Sequence, residues 1–442
     1  MEKRKKRNII LFIISYVINN LASGVLYDTY VNYLQDVSPQ IATSFWAFYG
    51  YATFVAALFL LAVPKIGYKK LLMFCSLGTA AAFFCVVQNG AVSQTLLYLA
   101  TVLALTGVQL HFVMLAPYVA AYTKDMGEKE IYWYTRTYYM GYIGYFAATY
   151  LGGYFVVRAF SVIAHISYGA AQEATRYITK MSAPMYQSYM SANRVVLLAV
   201  GIITLASIIP VLLIKEEKSD YQKENKEVIP FKEKLQLSGK VLLNRGARFY
   251  LLYWMLISFG MGLFTPYYTV FLNRNLHIDK ATSSLMVSIS YIAIVVFMFF
   301  TPRAVKKFGK VGTIVFTVIG CIPFMLMIAN GQSFGSLMVP IVGFALFMRA
   351  GLANLSSPAD SAVSMDVIHD TELRPIYTAI VNFASGIVSI LSGLFTGNFL
   401  FTEQSGYQTA YYYAAVCYVL AAVVLWIGLR KFNKHESEGE EV

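Results

Sequence analysis

Five titratable side chains lie inside long apolar blocks of this 442-residue sequence. They are Asp28, His111, Arg136, Arg349 and Asp360. A charged residue near the centre of a membrane helix costs about 2.5–3.5 kcal/mol on insertion scales, so it is retained where it has a function. These five residues are therefore the first candidates for binding a proton or a polar solute.

Asp28 is the strongest candidate for a proton-coupling residue. Tyr16, Asn20, Gly24, Asp28 and Asn32 follow each other at helical spacing and form a polar stripe on an otherwise apolar helix. Because burial favours the neutral form of a carboxyl group, Asp28 can take up a proton on one side of a membrane and release it on the other. The alternative is that Asp28 lies at the outer interface and only binds water.

Two further titratable residues have narrower expected roles. His111 is the second proton-coupling candidate, since an imidazole changes charge near neutral pH. The alternative for His111 is a neutral side chain that only makes hydrogen bonds within the bundle. Arg136 is a candidate gating residue at the inner interface, where Asp125 or Glu130 would pair with it.

Arg349 is the leading candidate for binding the substrate. It shares a helix face with Ala353, Ser356 and Asp360, but eleven residues separate it from Asp360, about 16 Å along a helix. Arg349 therefore needs another partner, either Asp28 or an anionic group of a substrate, for which a guanidinium is well suited. The alternative is a structural arginine that binds backbone carbonyls.

Other polar side chains on the same helices complete the predicted binding site. Tyrosine combines an apolar face with one hydroxyl group, which suits amphipathic organic substrates. The further substrate-binding candidates are Asn20, Asn32, Gln109, Tyr30, Tyr268 and Asp360.

The composition places all these residues in a membrane protein. Hydrophobic residues make up 58% of the chain and charged residues 13%, whereas soluble domains average about 25% charged residues. The apolar blocks are long enough to cross a bilayer as helices, and they lack the ten-residue alternation of membrane β-strands. We predict an all-α fold with twelve transmembrane helices, at residues 8–34, 40–63, 71–90, 94–122, 132–157, 193–214, 248–272, 281–301, 311–330, 335–365, 374–401 and 408–430.

The distribution of basic residues predicts the orientation. With the N-terminus inside, the inner segments carry 27 Lys and Arg residues and the outer segments carry six, among them Lys280. This bias predicts a multi-pass protein of the cell membrane with both termini in the cytoplasm. The same placement explains the net charge of +12 without a nucleic acid partner. The four Cys residues lie in apolar blocks and show neither a disulfide pattern nor a metal-binding pattern.

The chain divides into two halves around a charged segment. Residues 1–214 form a predicted six-helix bundle, 215–247 a cytoplasmic linker and 248–442 a second six-helix bundle. Within the linker, residues 231–244 predict an amphipathic interfacial helix, or alternatively a solvated linker. The outer segment 159–192 predicts short helices that form a passive cap or, alternatively, a lid over the substrate path.

The two halves resemble each other at a fixed offset. Pro117 and Pro358 are 241 residues apart, and at this offset Gly144, Ala148 and Gly152 correspond to Ser385, Ser389 and Gly393. Small residues at this spacing let two helices approach closely. The correspondence indicates an internal duplication.

Six plus six spans with parallel repeats and a basic central loop resemble the major facilitator superfamily. Its signature loop, roughly G-x-L-a-D-r-x-G-r-K, is similar to VPKIGYKK (63–70) and to AVKKFGK (304–310). Pro64 and Lys306 stand where the family has Asp. The resemblance implies that Lys69 and Lys310 in these loops take part in gating, and that an acid in the first span, here Asp28, takes part in coupling.

Three other segments are similar to particular carriers within that superfamily. Residues 349–374 resemble the tenth span of multidrug-type carriers. Residues 141–155 resemble the glycine-rich fifth span of drug/proton antiporters, although the Pro of that motif is missing. Residues 115–125 and 365–374 are faintly similar to sugar–cation symporters.

These observations predict a secondary transporter that moves a small amphipathic organic solute by alternating access, with proton-coupled export as the leading hypothesis. The alternatives are a cation-coupled uptake symporter for a sugar-like solute, and a non-transporting membrane sensor. We expect a monomer without cofactor or metal. The sequence has no phosphate-binding loop, and GQSFG (331–335) lacks the strand-to-helix context that a hydrolase needs, so an enzyme is not expected.

Overall fold

The computed structural model describes residues 2–88, 93–123, 129–221, 231–368 and 373–433. Within these ranges the chain is helical almost throughout and contains no β-strand. Asp125 lies outside the described residues, and the side chain of Glu130 is not described either.

Eleven helices of the described ranges are long and apolar enough to cross a membrane, and a shorter apolar helix stands where the second span is predicted. The all-α fold with twelve spans is confirmed. The spans are α1 (Lys3–Val37), α2 (Phe45–Leu60), α3 (Tyr68–Val87), α4 (Gln94–Thr123), α5 (Tyr139–Ile163), α6 (Ala183–Leu213), α7 (Arg245–Asn275), α8 (Lys280–Met298), α9 (Lys310–Ala329), α10 (Gly331–Asp366), α11 (Ile376–Leu400) and α12 (Gly406–Phe432).

The largest difference from the predicted boundaries is at α6. This helix begins at Ala183, ten residues before the predicted start, because the polar sequence APMYQSYMSAN is helical although its hydropathy is low. The outer segment before it contains the short helices Tyr168–Ala174 and Thr175–Lys180, as predicted. A helix is also present at Phe231–Leu243, in the second part of the linker.

The chain forms two compact units. Unit 1 contains Met1–Lys226 and Tyr267–Ser288, and unit 2 contains Glu227–Pro266 and Ile289–Val442. The end of α7 and the beginning of α8 therefore pack with the first six spans.

Within unit 1, small residues let α1 and α5 approach closely. A Cβ added at Gly144 would lie 2.9 Å from the Val17 backbone oxygen, and one at Gly24 would lie 2.7 Å from the Ala148 Cβ. The predicted small-residue face of α5 is thus the face that packs on α1. In unit 2, Ser385 of α11 accepts a hydrogen bond from the Trp254 indole of α7 at 2.6 Å. The fifth span of each half therefore packs on the first.

Several spans contain a local irregularity in the helix. Asp28 lies in a π-helical turn, Leu26–Tyr30, within α1. A similar π-helical turn, Phe271–Asn275, ends α7. In α10 the helix breaks at Ser356, just before Pro358, whose ring removes one backbone donor.

Large apolar side chains cover the outside of the spans. Leu58 is 67% exposed and Phe299 is 63% exposed, although both are strongly hydrophobic. Exposed residues of this kind on almost every span are expected where lipid replaces water as the solvent.

Candidate functional site

Asp28 and Lys280 form a buried ion pair in unit 1. The Lys280 Nζ lies 2.5 Å from the Asp28 Oδ1, and the Ser284 hydroxyl donates a hydrogen bond of 2.9 Å to Oδ2. The side chain of Asp28 is 1% exposed and that of Lys280 is fully buried. Both carboxylate oxygens therefore have a donor, and one donor is a cation.

Three helices hold this pair in place. Asp28 lies in the π-helical turn of α1, while Lys280 and Ser284 lie one turn apart on the same face of α8. Gly153 of α5 permits the approach of α8, because a Cβ at this position would clash with the Ser284 side chain and lie 3.2 Å from the Lys280 backbone oxygen. A Cβ at the neighbouring Gly152 would lie 3.3 Å from the Thr29 hydroxyl and 3.9 Å from the Asp28 carboxylate.

The ion pair depends on both of its charges. Two buried opposite charges compensate each other, but a proton on Asp28 would leave the Lys280 ammonium buried without its counter-charge. Breaking a buried pair from one side is typically worth about 3–5 kcal/mol. A proton on Asp28 would therefore change the stability of the contact between α1 and α8 by much more than thermal energy.

The outer segment 159–192 is hydrogen-bonded to residues next to this ion pair. The Gln172 amide donates to Asp279 at 2.9 Å, the Asn273 amide donates to the Thr175 carbonyl oxygen at 2.9 Å, and the Lys280 backbone N–H donates to the Thr175 hydroxyl at 3.0 Å. These bonds connect the short helices at residues 168–180 to Asn273, Asp279 and Lys280.

A second ion pair joins the same two parts of unit 1. Arg274 donates to the Asp36 carboxylate at 2.7 Å, two turns beyond Asp28 on α1. Nearby, the Asn32 amide donates to the Asp28 carbonyl oxygen and to the Thr269 hydroxyl, both at 2.9 Å. Asn32, a predicted binding residue, therefore connects α1 to the end of α7.

The rest of the predicted stripe faces α5. A Cβ at Gly141 would lie 2.6 Å from the Tyr16 ring and 3.0 Å from the Asn20 amide. The Asn20 amide nitrogen has no hydrogen-bond partner among the described residues. Tyr30 is also buried, and its hydroxyl bonds to Thr101 of α4 at 2.8 Å.

His111 lies between aromatic rings in the core of unit 1. Its ring centroid is 5.3 Å from that of Phe12 and 5.5 Å from that of Tyr16. The side chain is fully buried, and neither ring nitrogen has a hydrogen-bond partner in the described part of the chain. The predicted role of His111 in proton coupling stays a prediction.

Arg349 is held within unit 2. Its guanidinium donates to the Tyr418 hydroxyl of α12 at 2.7 Å and lies 4.8 Å from the centre of the Phe264 ring. This cation–π contact and hydrogen bond fix a planar cation deep in the unit. Sequence reasoning placed Arg349 correctly inside a span, but it did not identify Tyr418 or Phe264.

Asp360 is a buried acid of unit 2. Its Oδ2 accepts a hydrogen bond of 3.1 Å from the Tyr250 hydroxyl of α7, and the side chain is 9% exposed. The remaining predicted binding residues are less distinctive. Gln109 donates a long bond of 3.4 Å to Thr53, and Tyr268 is half-buried at the start of a short helix in α7.

Lys69 lies at the inner corner between α2 and α3. Its ammonium donates to the backbone oxygens of Leu212 and Ile214 at 2.7 and 2.9 Å, at the end of α6. Gly67 makes the corner with φ of 82°, and the Glu216 carboxylate accepts the Tyr68 backbone N–H at 2.7 Å. Glu216 thus caps the N-terminus of α3, a favourable place for a negative charge.

Lys310 lies at the corresponding corner of unit 2. Gly309 has φ of 74°, and the Lys310 ammonium lies 3.0 Å from the Asp366 carboxylate at the end of α10. Here the corner is closed by Asn433, whose amide oxygen accepts the Gly312 backbone N–H at 2.9 Å. Each lysine therefore joins the signature loop to the inner end of another span of its own unit.

Arg136, the third predicted gating residue, is exposed, and it lies in unit 1 shortly before α5. Its guanidinium lies 5.9 Å from the centre of the Trp133 ring. The acidic partners predicted for it lie outside the described side chains, so its gating role stays a prediction.

A further ion-pair cluster joins the beginning of α1 to the segment after α6. Arg4 binds both carboxylate oxygens of Asp220, at 2.6 and 2.9 Å, and lies 3.1 Å from Glu217. Burial raises the pKa of Asp220, but the hydrogen bonds and charge of Arg4 outweigh this and hold it below its usual value. Burial raises the pKa of Glu216 above its usual value, although two backbone N–H groups partly oppose the effect.

Lys280 is the member of the candidate site that the sequence analysis did not single out. It was counted among the outer basic residues, one position before the predicted eighth span, and it is the fully buried first residue of α8. A usable signal was present: Lys280, Ser284 and Ser288 share one helix face at four-residue spacing.

The fold and the sequence together identify the family. The sequence profile of the Major Facilitator Superfamily matches residues 8–393 and, a second time, residues 255–442. The chain belongs to the major facilitator superfamily. It is therefore a multi-pass membrane transporter rather than an enzyme.

Solved structures of this superfamily have the same fold. The nucleoside transporter NupG matches with a TM-score of 0.70 and 13% identity, over 97% of this chain and 99% of its own. The xylose transporter XylE from E. coli matches with a TM-score of 0.65 and 14% identity, over all of both chains. At these identities the similarity shows the fold alone. No curated protein sequence matches the chain.

Proposed function

We propose that this facilitator is a proton-coupled exporter of small amphipathic organic solutes, and that proton binding at Asp28 drives its cycle. The observation that carries the proposal is the buried contact between Asp28 and Lys280, with Ser284 as a third member. A protonated carboxyl group is neutral and no longer pairs with a cation. A proton and an ammonium group therefore compete for Asp28.

Competition for one carboxylate is what an antiporter requires. In the resting state the Asp28 carboxylate already holds an ammonium group, that of Lys280. An organic ammonium of a substrate would satisfy the same carboxylate, and a proton would displace either one. We therefore favour amphipathic cations as substrates, exchanged for protons.

The main alternative is uptake together with protons. Protonation of Asp28 would release Lys280, and a released ammonium could then bind an anionic or strongly polar solute. The solved structures with this fold include a fucose:proton symporter of E. coli. For symport, acidification on the entry side should strengthen solute binding, whereas for antiport it should weaken binding.

The test is proton-driven transport in proteoliposomes with the full-length protein. A panel of labelled organic cations and sugars is first screened by counterflow, which needs no proton gradient. For a transported compound, Asp28→Asn is expected to keep counterflow. The stimulation of its transport by a proton gradient should fall at least tenfold. Glu403→Gln, which changes an exposed carboxylate to an amide, serves as the control and should behave as the unmodified protein.

The results separate the hypotheses. Unchanged gradient-driven flux in the Asp28→Asn variant would remove Asp28 from the coupling mechanism. Flux that requires acid on the side from which the solute enters would favour proton-coupled uptake over export.

A further inference from the structure

Asp360 is a second buried carboxyl, and its surroundings differ from those of Asp28. Its Oδ2 accepts the 3.1 Å hydrogen bond from Tyr250, and its Oδ1 has no hydrogen-bond partner among the described residues. In the described part of the chain no Lys, Arg or His forms an ion pair with it.

The groups that face Asp360 are neutral. From α7 come the phenols of Tyr250 and Tyr253, whose ring centroids are 5.7 Å apart, and from α11 comes Tyr377, whose ring is 6.2 Å from that of Tyr250. The adjacent α9 brings Lys310, which pairs with Asp366 instead. The short helix Thr301–Phe308 carries basic residues, but none of them pairs with Asp360 in the described structure.

A negative charge on Asp360 is energetically unfavourable in such a site. An ionised carboxylate taken out of water without a cation has an effective penalty of several kcal/mol, which phenol hydrogen bonds offset only in part. A protonated carboxyl avoids this penalty. It can still accept the Tyr250 bond at Oδ2, while Oδ1 carries the hydrogen and remains open to a solute or water.

We propose that Asp360 holds a proton in the resting protein and is a second proton-binding site, separate from Asp28. Asp28 and Asp360 then have opposite states: Asp28 is ionised because Lys280 compensates it, and Asp360 is neutral because tyrosines surround it. Its contribution to transport rests on the proposed proton coupling, but its protonation does not.

The test is infrared spectroscopy of the purified full-length protein at neutral pH in a detergent that contains no ester or carboxyl groups, since phospholipid esters absorb where a protonated carboxyl does. A protonated carboxyl has a carbonyl stretching band that a carboxylate lacks. We expect one such band from the unmodified protein, and we expect it to disappear in Asp360→Asn. The exposed carboxyl variant Glu403→Gln is the matched control within unit 2 and should keep the band.

Two more variants make the assignment specific. Asp28→Asn should keep the band, because Asp28 is ionised in the resting protein. Tyr250→Phe should shift the band to higher frequency, since the carbonyl oxygen loses a hydrogen bond, and a general effect on folding would not produce this shift. A band that persists in Asp360→Asn, or that is absent from the unmodified protein, would overturn the proposal. Neither outcome depends on flux, so the role of Asp28 would be judged separately.

Discussion

Single residues in this carrier take their properties from the charge that stands beside them. Asp28 and Asp360 are both buried acids, but one faces an ammonium group and the other faces phenols. The same side chain can therefore store a negative charge in one place and a proton in another. The charge of the neighbour, more than the depth of burial, decides which.

Asp220 allows this rule to be tested outside the membrane. Its pKa in the folded protein lies below the usual value of 3.8, so the Arg4–Asp220 contact stabilises the protein above that pH and is lost as pH falls through the lowered value. Asp220→Asn should cost about 1–3 kcal/mol at neutral pH and should flatten the loss of stability on acidification. Thermal unfolding in detergent at a series of pH values measures both effects.

Glu216 serves as a control, because its pKa is shifted in the opposite direction to that of Asp220. Its pKa is raised above 4.5, so its ionisation destabilises the folded protein as pH rises from 4.5 through the raised value. Glu216→Gln should therefore remove a decline of stability with rising pH. If both variants changed the pH profile in the same direction, the assignment of these shifts would be wrong.

At this scale the sequence predicts which residues are unusual but not what they contact. Asp28 stands out because it interrupts an apolar block, and this needs only hydropathy. Lys280 does not stand out, since it lies at the edge of a block and looks like a loop charge. That these two residues meet depends on which helix ends pack together, over 252 positions of sequence separation.

At the scale of helices, glycines decide which spans can touch. Gly153→Ala should separate α8 from α5, because the added Cβ would clash with Ser284 next to the ion pair. We expect a lower unfolding temperature and weaker coupling of flux to the proton gradient. Gly169→Ala is the matched control, since nothing lies within 4 Å of a Cβ there, and it should be neutral or slightly stabilising. Equal behaviour of both variants would contradict the packing argument.

The helices themselves were largely predictable, because membrane spans are encoded in length and hydropathy. The predicted α4, at 94–122, differs from the observed Gln94–Thr123 by one residue. What hydropathy does not encode is the local geometry. The π-helical turn that contains Asp28 and the early start of α6 depend on backbone hydrogen bonds and packing, for which the apolar pattern carries no signal.

At the scale of the whole molecule, unit 1 joins parts of both sequence halves. Residues 267–288 belong to the second half of the sequence, yet Arg274 and Lys280 pair with Asp36 and Asp28 of α1. If the two halves rock to open the outer side, both ion pairs must break in each cycle.

Cross-linking tests this requirement. In a protein without its native cysteines, Asp36→Cys with Arg274→Cys should be joined by a short bifunctional thiol reagent, because the two side chains are 2.7 Å apart. Counterflow should then stop, whereas each single variant should continue to transport after the same treatment. Continued transport by the joined protein would show that these residues stay together throughout the cycle.

The two inner corners at Gly67 and Gly309 carry a consequence for recognising relatives. Their backbone angles are nearly equal, but a Glu after the sixth span closes one corner and an Asn after the twelfth closes the other. Neither residue lies in the loop where a pattern search would look for an acid. A search that requires the acid within the loop would pass over carriers that close this corner with a residue from a distant position, whereas a comparison of backbone angles would find them.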